Sequence, residues 1–247
     1  MRCNKARYTT IILLSLLLLG RAIAAQAPPT SCKIDGVPRI KQLTNYCGPA
    51  TLAAVLQCLG EKTTQETVGK AVYNAAGGST NGADMLFYAR SKGYAAYSWN
   101  SSIEDVKKKL AAGAPVIVLQ QNSATDASGH YRVLTGYDDN AGKFSVMDPY
   151  YDNITELTYP QCERLWKPMG RWSLVIVPTD KDTFAGELND KNPVVHMDMS
   201  FALYTRGDYT GAQKEAKLAL ALEPNNSWSR NMLGKINKAM GAGKRHS

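Results

Sequence analysis

Three side chains in this sequence have the types and spacing needed to open a peptide or amide bond: a thiol, an imidazole and a carboxylate. Cys47 lies in the run Gln42-Leu43-Thr44-Asn45-Tyr46-Cys47-Gly48-Pro49-Ala50. Pro49, followed by Leu52, Val55, Leu56 and Leu59 at helical spacing and then Gly60, predicts a helix over 47–59 that begins at the cysteine. Unpaired N–H groups and the helix dipole at such a start favour the thiolate, which is the nucleophilic form. A cysteine nucleophile needs a base, and the chain has three histidines. His246 is in the tail and His196 opens a helical segment, which leaves His130 at the start of a predicted strand. The base in turn needs an acceptor to fix its tautomer, and Asp148 ends the next predicted strand. Gln42, with the backbone N–H of Cys47, is the candidate donor to the oxyanion that forms when a carbonyl is attacked.

Each residue has a plainer reading. Cys47 could be a structural cysteine or half of a disulfide, and His130 an exposed strand end. Asp148 could be a turn former before Pro149, and Gln42 a loop glutamine. The four gain force from their order and from the elements that carry them. Strands over 130–137 and 143–147 are joined by Asp138-Asp139-Asn140-Ala141-Gly142, a run that favours a hairpin. In such a hairpin the start of one strand faces the end of the next, so His130 and Asp148 become neighbours. Asp138 and Asp139 lie at the far end.

The remaining pattern supplies the frame. Helices are expected from Thr63-Thr64 towards Tyr73, over 82–92 and over 102–112, the last with Ser102 and Asp105 as a capping box. Strands are expected over 94–99, 115–120, 154–158 and 171–177, and a short extended piece over 37–40. Helices first and antiparallel strands later indicate an α+β domain. The polar stretch 179–192 reads as a linker. Residues 193–241 match one tetratricopeptide repeat plus a third helix, with Gly207-Asp208-Tyr209 at the turn, then Ala212, Ala216 and Ala219, and Pro224 closing it. One repeat does not stand alone, so this segment is expected to pack on the main domain or on another chain.

Composition bounds the rest. The 247 residues are 44% hydrophobic and 20% charged, enough for one sizeable domain and a small second one. Residues 1–25 have a basic start, an apolar run over 11–20 and small residues at Ala22, Ala24 and Ala25, the pattern of a secretory signal. Arg2, Lys5, Arg7 and Arg21 lie in that stretch, so without it the net charge falls from +8 to +4. No arginine cluster is interleaved with aromatics, which argues against nucleic acid as a partner. No other apolar run is long enough to span a bilayer, so no stable membrane span is expected after signal removal. With Cys3 in the signal and Cys47 kept as a thiol, Cys32, Cys58 and Cys162 allow one disulfide and one spare thiol, with the pairing open. Their spacing lacks a zinc pattern, so neither a metal nor another cofactor is expected.

Gln42 to Ala50, Gly129 to Asp138 and Val146 to Tyr150 resemble the signature blocks of cysteine peptidase family 39. These are papain-like enzymes whose best-known members remove double-glycine leaders from bacteriocin precursors. The resemblance spans residues 36–178 and implies a papain-like peptidase domain over 33–178. In it a helical half would carry the nucleophile Cys47. An antiparallel half would carry the base His130 and its orienter Asp148, with Gln42 as oxyanion donor. Two departures stand out. Arg132 occupies a strand position that is usually aliphatic in the family, and the signal replaces the usual fused transporter. The helical segment resembles that of stand-alone exported bacterial members. The expected function is therefore peptide-bond hydrolysis in the periplasm or outside the cell. The substrate would be a peptide or protein, with a possible protein partner for 193–241. Acyl transfer or amide hydrolysis at the same site, or a peptide-binding or adaptor module without catalysis on the same fold, are the alternatives.

Overall fold

The computed structural model describes residues 29–243, so the secretory signal expected over 1–25 lies outside the described residues. The chain runs β1 (Ser31–Lys33), α1 (Cys47–Cys58), α2 (Gln65–Val72), a small hairpin of β2 (Tyr73–Asn74) and β3 (Ser79–Thr80), then α3 (Gly82–Ser91), β4 (Tyr94–Asn100) and α4 (Ile103–Ala111). Strands β5 (Val116–Gln121), β6 (Gly129–Asp138), β7 (Lys143–Met147) and β8 (Glu156–Thr158) follow, then α5 (Tyr159–Trp166), β9 (Trp172–Pro178), the short α6 (Ala185–Leu188), α7 (Pro193–Thr205), α8 (Tyr209–Leu222) and α9 (Ser227–Gly243). No helix among the described residues is long and apolar enough to cross a membrane.

The helix starts follow from local chemistry. Thr64, Asn81, Ser102, Thr158, Asn192 and Asp208 cap α2, α3, α4, α5, α7 and α8 through their side chains. Ser102 with Asp105, and Thr158 with Gln161, complete capping boxes. The N-cap of α1, Tyr46, makes no such bond. Pro49 has no N–H and Ala50 N–H donates to Tyr46 O, so the donors left at this helix start are those of Cys47 and Gly48.

All strand pairs are antiparallel, in the order β4-β9-β5-β6-β7-β8, with β1 added to the far end of β6. Gly136 sits at a register shift between β6 and β7, where β1 crosses close by. A Cβ at Gly136 would lie 2.4 Å from Cys32 O, so only glycine lets the backbones approach this closely. Helix α1 is apolar on nearly every face, with Leu52, Ala53, Ala54, Val55 and Leu56 buried, as befits a helix sunk in the core. It packs against α2, α3 and β6, which brings its N-terminus to the rim of the sheet.

Four expectations need correction. The segment 179–192 is not a free linker: Phe184 and Leu188 enter the core, and Asn192 Nδ2 donates to Ser98 O at 2.6 Å. Its polar residues concealed two apolar anchors. No disulfide links Cys32, Cys58 or Cys162, because Cys32 Sγ is turned to Leu110 O, Cys58 Sγ to Asp35 O, and Cys162 lies buried beneath Gln120. Residues 37–40 form no strand, and the strand expected from 154 begins at Glu156. Helix α5 was not anticipated.

The terminal helices pack on the main domain. Helix α7 lies on α3 and β4, where Arg206 Nη1 meets Asp84 Oδ1 at 2.7 Å and Trp172 Nε1 donates to Asp198 Oδ2 at 2.8 Å. Between α7, α8 and α9 a separate small core forms around Ala212, Ala216, Met232 and Ile236.

Candidate active site

The sheet register settles which residues meet. Gln120 on β5 stands opposite His130, and Val133 on β6 stands opposite Met147 on β7. His130 is thus at the start of β6, and Asp148 follows the end of β7 beside it. His130 Nε2 and Asp148 Oδ1 are 2.9 Å apart, and both side chains are buried. Helix α1 delivers Cys47 to the other edge of the ring. Nε2 is engaged by Asp148, so Nδ1 is the nitrogen that serves the thiol. Gln42 comes alongside because its N–H donates to Pro149 O at 2.8 Å, tying the segment before α1 to the segment after β7. Its side-chain Oε1 is buried without a hydrogen-bond partner. The structure thus assembles all four residues singled out in the sequence, at one cleft of about 540 Å³ that Gln42, Cys47 and His130 line directly.

The electrostatics favour an ion pair. Burial pushes the Cys47 thiol up, but the hydrogen bond and charge of His130, with the N–H groups of Tyr131 and Gly48, outweigh it and the net shift is downward. Burial would lower His130, yet its bonds to Asp148 and Cys47 outweigh that and the charge of Arg132, and the net shift is upward. A lowered thiol beside a raised imidazole shifts both groups in the direction that favours thiolate with imidazolium. Asp148 is held down at about 2: its burial is overcome by the His130 hydrogen bond, by the charges of His130 and Arg132, and by the Tyr151 N–H.

The surroundings add residues that the sequence reading passed over. Asn45 adopts a left-handed conformation (φ 59°) two residues before the thiol and lines the cleft, a geometry asparagine tolerates. Thr80, from the unanticipated β2–β3 hairpin, forms the wall beside Gly48, where a Cβ would lie 2.7 Å from the Thr80 side chain. Tyr150 and Tyr151 set their rings edge-on to His130 at centroid distances of 6.4 and 6.3 Å. Arg132 was noted as a departure, but not as a partner of Asp148. Its Nε lies 2.6 Å from Asp148 Oδ2. The signal was present: residues 130 and 132 share a strand face, so a charge at 132 points the same way as His130.

Comparison with known proteins agrees with this architecture. Residues 34–174 match the profile of the family described as Peptidase_C39 like. No curated protein matches the chain. A solved structure described as a C39-like peptidase from Bacillus anthracis is 19% identical, with a TM-score of 0.51, over 60% of this chain and 97% of that one. That similarity shows a shared fold. A double glycine motif protease from an AMS/PCAT transporter, solved in complex with the leader peptide, is 22% identical with a TM-score of 0.47, over 60% of this chain and 99% of the other.

Proposed function

The chain belongs to the Peptidase_C39 like family, and from that premise we propose that it is an exported thiol peptidase acting through an acyl-enzyme at Cys47. The observation that carries this reading is the relay from the Cys47 thiol through the His130 ring to the Asp148 carboxylate at 2.9 Å. The Cys47 thiolate attacks the carbonyl carbon of the scissile bond, and the carbonyl oxygen takes the negative charge. The N–H of Cys47 at the uncapped start of α1 and the Gln42 amide face that charge. His130, protonated at Nδ1, gives its proton to the departing amine as the C–N bond breaks, leaving a thioester. His130 then takes a proton from water, the hydroxide adds to the thioester, and the acid leaves as the thiol is restored.

Asn45, Ser79, Asn122 and Ser128 give the cleft polar walls open to water, the co-substrate that hydrolysis needs. A pure peptide-binding role gives no reason for the opposed shifts of Cys47 and His130. Export rests on the signal-like pattern of residues 1–25.

The test is incubation of the chain lacking residues 1–25 with a randomised peptide library, read by mass spectrometry for new N-termini. Cleavage abolished by Cys47→Ser supports the proposal. Identical peptide profiles for the two proteins overturn it.

A further inference from the structure

Arg132 takes no part in the reaction just described, yet its side chain is 1% exposed. A guanidinium is stable at such depth only when its donors are met. Four bonds meet them here. Nε lies 2.6 Å from Asp148 Oδ2, Nη1 donates to Gln120 Oε1 and Gln121 O at 3.2 and 3.1 Å, and Nη2 donates to Asn122 O at 2.7 Å.

The acceptors divide into two groups with different consequences. Asp148 Oδ1 is bonded three times, by His130 Nε2 and by the N–H groups of Tyr150 and Tyr151 at 2.8 and 3.0 Å. Asp148 Oδ2 has Arg132 as its one side-chain partner among the described residues. The backbone acceptors Gln121 and Asn122 begin the loop that returns to β6 at Gly129. Asn122, Asp126 and Ser128 from that loop line the cleft. One planar fork thus grips the carboxylate behind the imidazole and the root of the cleft wall together. A lysine ammonium carries the charge but lacks the fork.

We propose that Arg132 is a positioning residue of the peptidase site: its buried guanidinium fixes the Asp148 carboxylate and the 122–128 loop as one unit, so that His130 stays aligned with Cys47. The proposal rests on the peptidase reading for its consequence, and on the four bonds for its geometry.

The experiment compares the wild-type chain lacking residues 1–25 with Arg132→Met, Arg132→Lys, Asp148→Asn and the Asp148→Asn/Arg132→Met double variant. The readouts are the ¹⁵N shifts of the His130 ring across pH and the rate of Cys47 alkylation by iodoacetamide, per folded molecule by near-ultraviolet circular dichroism. Removing the cation beside His130 should move its ionisation to higher pH in Arg132→Met. Alkylation near neutral pH should fall by up to roughly 10²-fold, the scale of a small misplacement of a reacting group. Arg132→Lys should restore the His130 ionisation but not the full rate, which separates charge from fork. If Arg132 acts through Asp148, adding Arg132→Met to Asp148→Asn should cost less than about 2-fold more. That double variant also lacks the unpaired buried charge, so it answers even if Arg132→Met folds poorly. A His130 titration and rate unchanged by Arg132→Met overturn the proposal, as does full additivity in the double variant. Alkylation of wild-type Cys47 below about pH 7 tests the peptidase reading by itself, and the His130 titration tests Arg132 without any substrate.

Discussion

His130 presents Nε2, not Nδ1, to Asp148 Oδ1 at 2.9 Å, and this orientation leaves Nδ1 as the nitrogen available to Cys47. A single hydrogen bond therefore decides which tautomer is useful. Neutral His130 must carry its proton on Nε2 so that Nδ1 can accept one from the thiol.

The first prediction concerns pH. Cys47 is shifted down and His130 up, so the thiolate–imidazolium pair should exist in a window bounded below by the Cys47 ionisation and above by that of His130. Alkylation by iodoacetamide should be fast below the ordinary thiol pKa of about 8.5. His130→Ala should move the thiol ionisation up and slow labelling in that window. Labelling that simply follows an ordinary thiol titration would contradict the assignment.

Asp148→Asn should keep its amide oxygen toward His130 Nε2 and the Tyr150 and Tyr151 N–H groups, which all need an acceptor there. It would so turn its Nδ2 against Arg132 Nε while removing the negative charge. The imidazolium then loses the carboxylate that raises its pKa, so the His130 ionisation should move to lower pH and peptide cleavage should fall by roughly 10²- to 10⁴-fold. The same residue links stability to acid. Its folded pKa of about 2 lies below its unfolded value of about 3.9, so its contribution is present above the unfolded value and is lost as pH falls through the folded one. The unfolding free energy from urea titrations should drop between about pH 4 and pH 2 in the wild type, by an amount on the order of 1–2 kcal/mol, and less steeply in Asp148→Asn.

Gly136→Ala tests the close antiparallel pairing of β1 with β6. The new methyl would meet Cys32 O at 2.4 Å, and both neighbours are backbone. A loss of roughly 1–3 kcal/mol in chemical denaturation is expected. Gly142→Ala makes a useful control: no atom lies within 4 Å of its Cβ position, and its cost should come only from its positive φ.

The thiols can be counted. The chain lacking residues 1–25 holds Cys32, Cys47, Cys58 and Cys162, all free. Titration with a disulfide reagent in denaturant, without reductant, should find four thiols. In the native protein Cys162 should react last, because burial pushes its pKa up to about 12. Recovery of only two thiols would restore the disulfide expected from composition.

How far the sequence could be read depended on the range of the forces involved. Helix α1, the Ser102 capping box and the hairpin between β6 and β7 were legible because propensity, capping and turn chemistry act over a few residues. Helix α5 was missed although Thr158 and Gln161 form a capping box, because it is only eight residues long and its start overlaps a predicted strand. The linker reading of 179–192 failed because Phe184 and Leu188 are two apolar residues in a polar stretch, and burial of two side chains leaves no periodic trace.

The candidate site divides in the same way. The local sequence determined that a thiol would sit at a helix start, that His130 and Asp148 would end adjacent strands, and that Gln42 would precede the thiol by a short loop. Tertiary structure alone decided that α1 would bring Cys47 to that pair, that Nε2 would take the carboxylate, and that Arg132 would close on Asp148 from behind. These last relations depend on packing a buried helix against a sheet and on satisfying charges taken out of water. Both are properties of the assembled core, and residues far apart in the chain share in them.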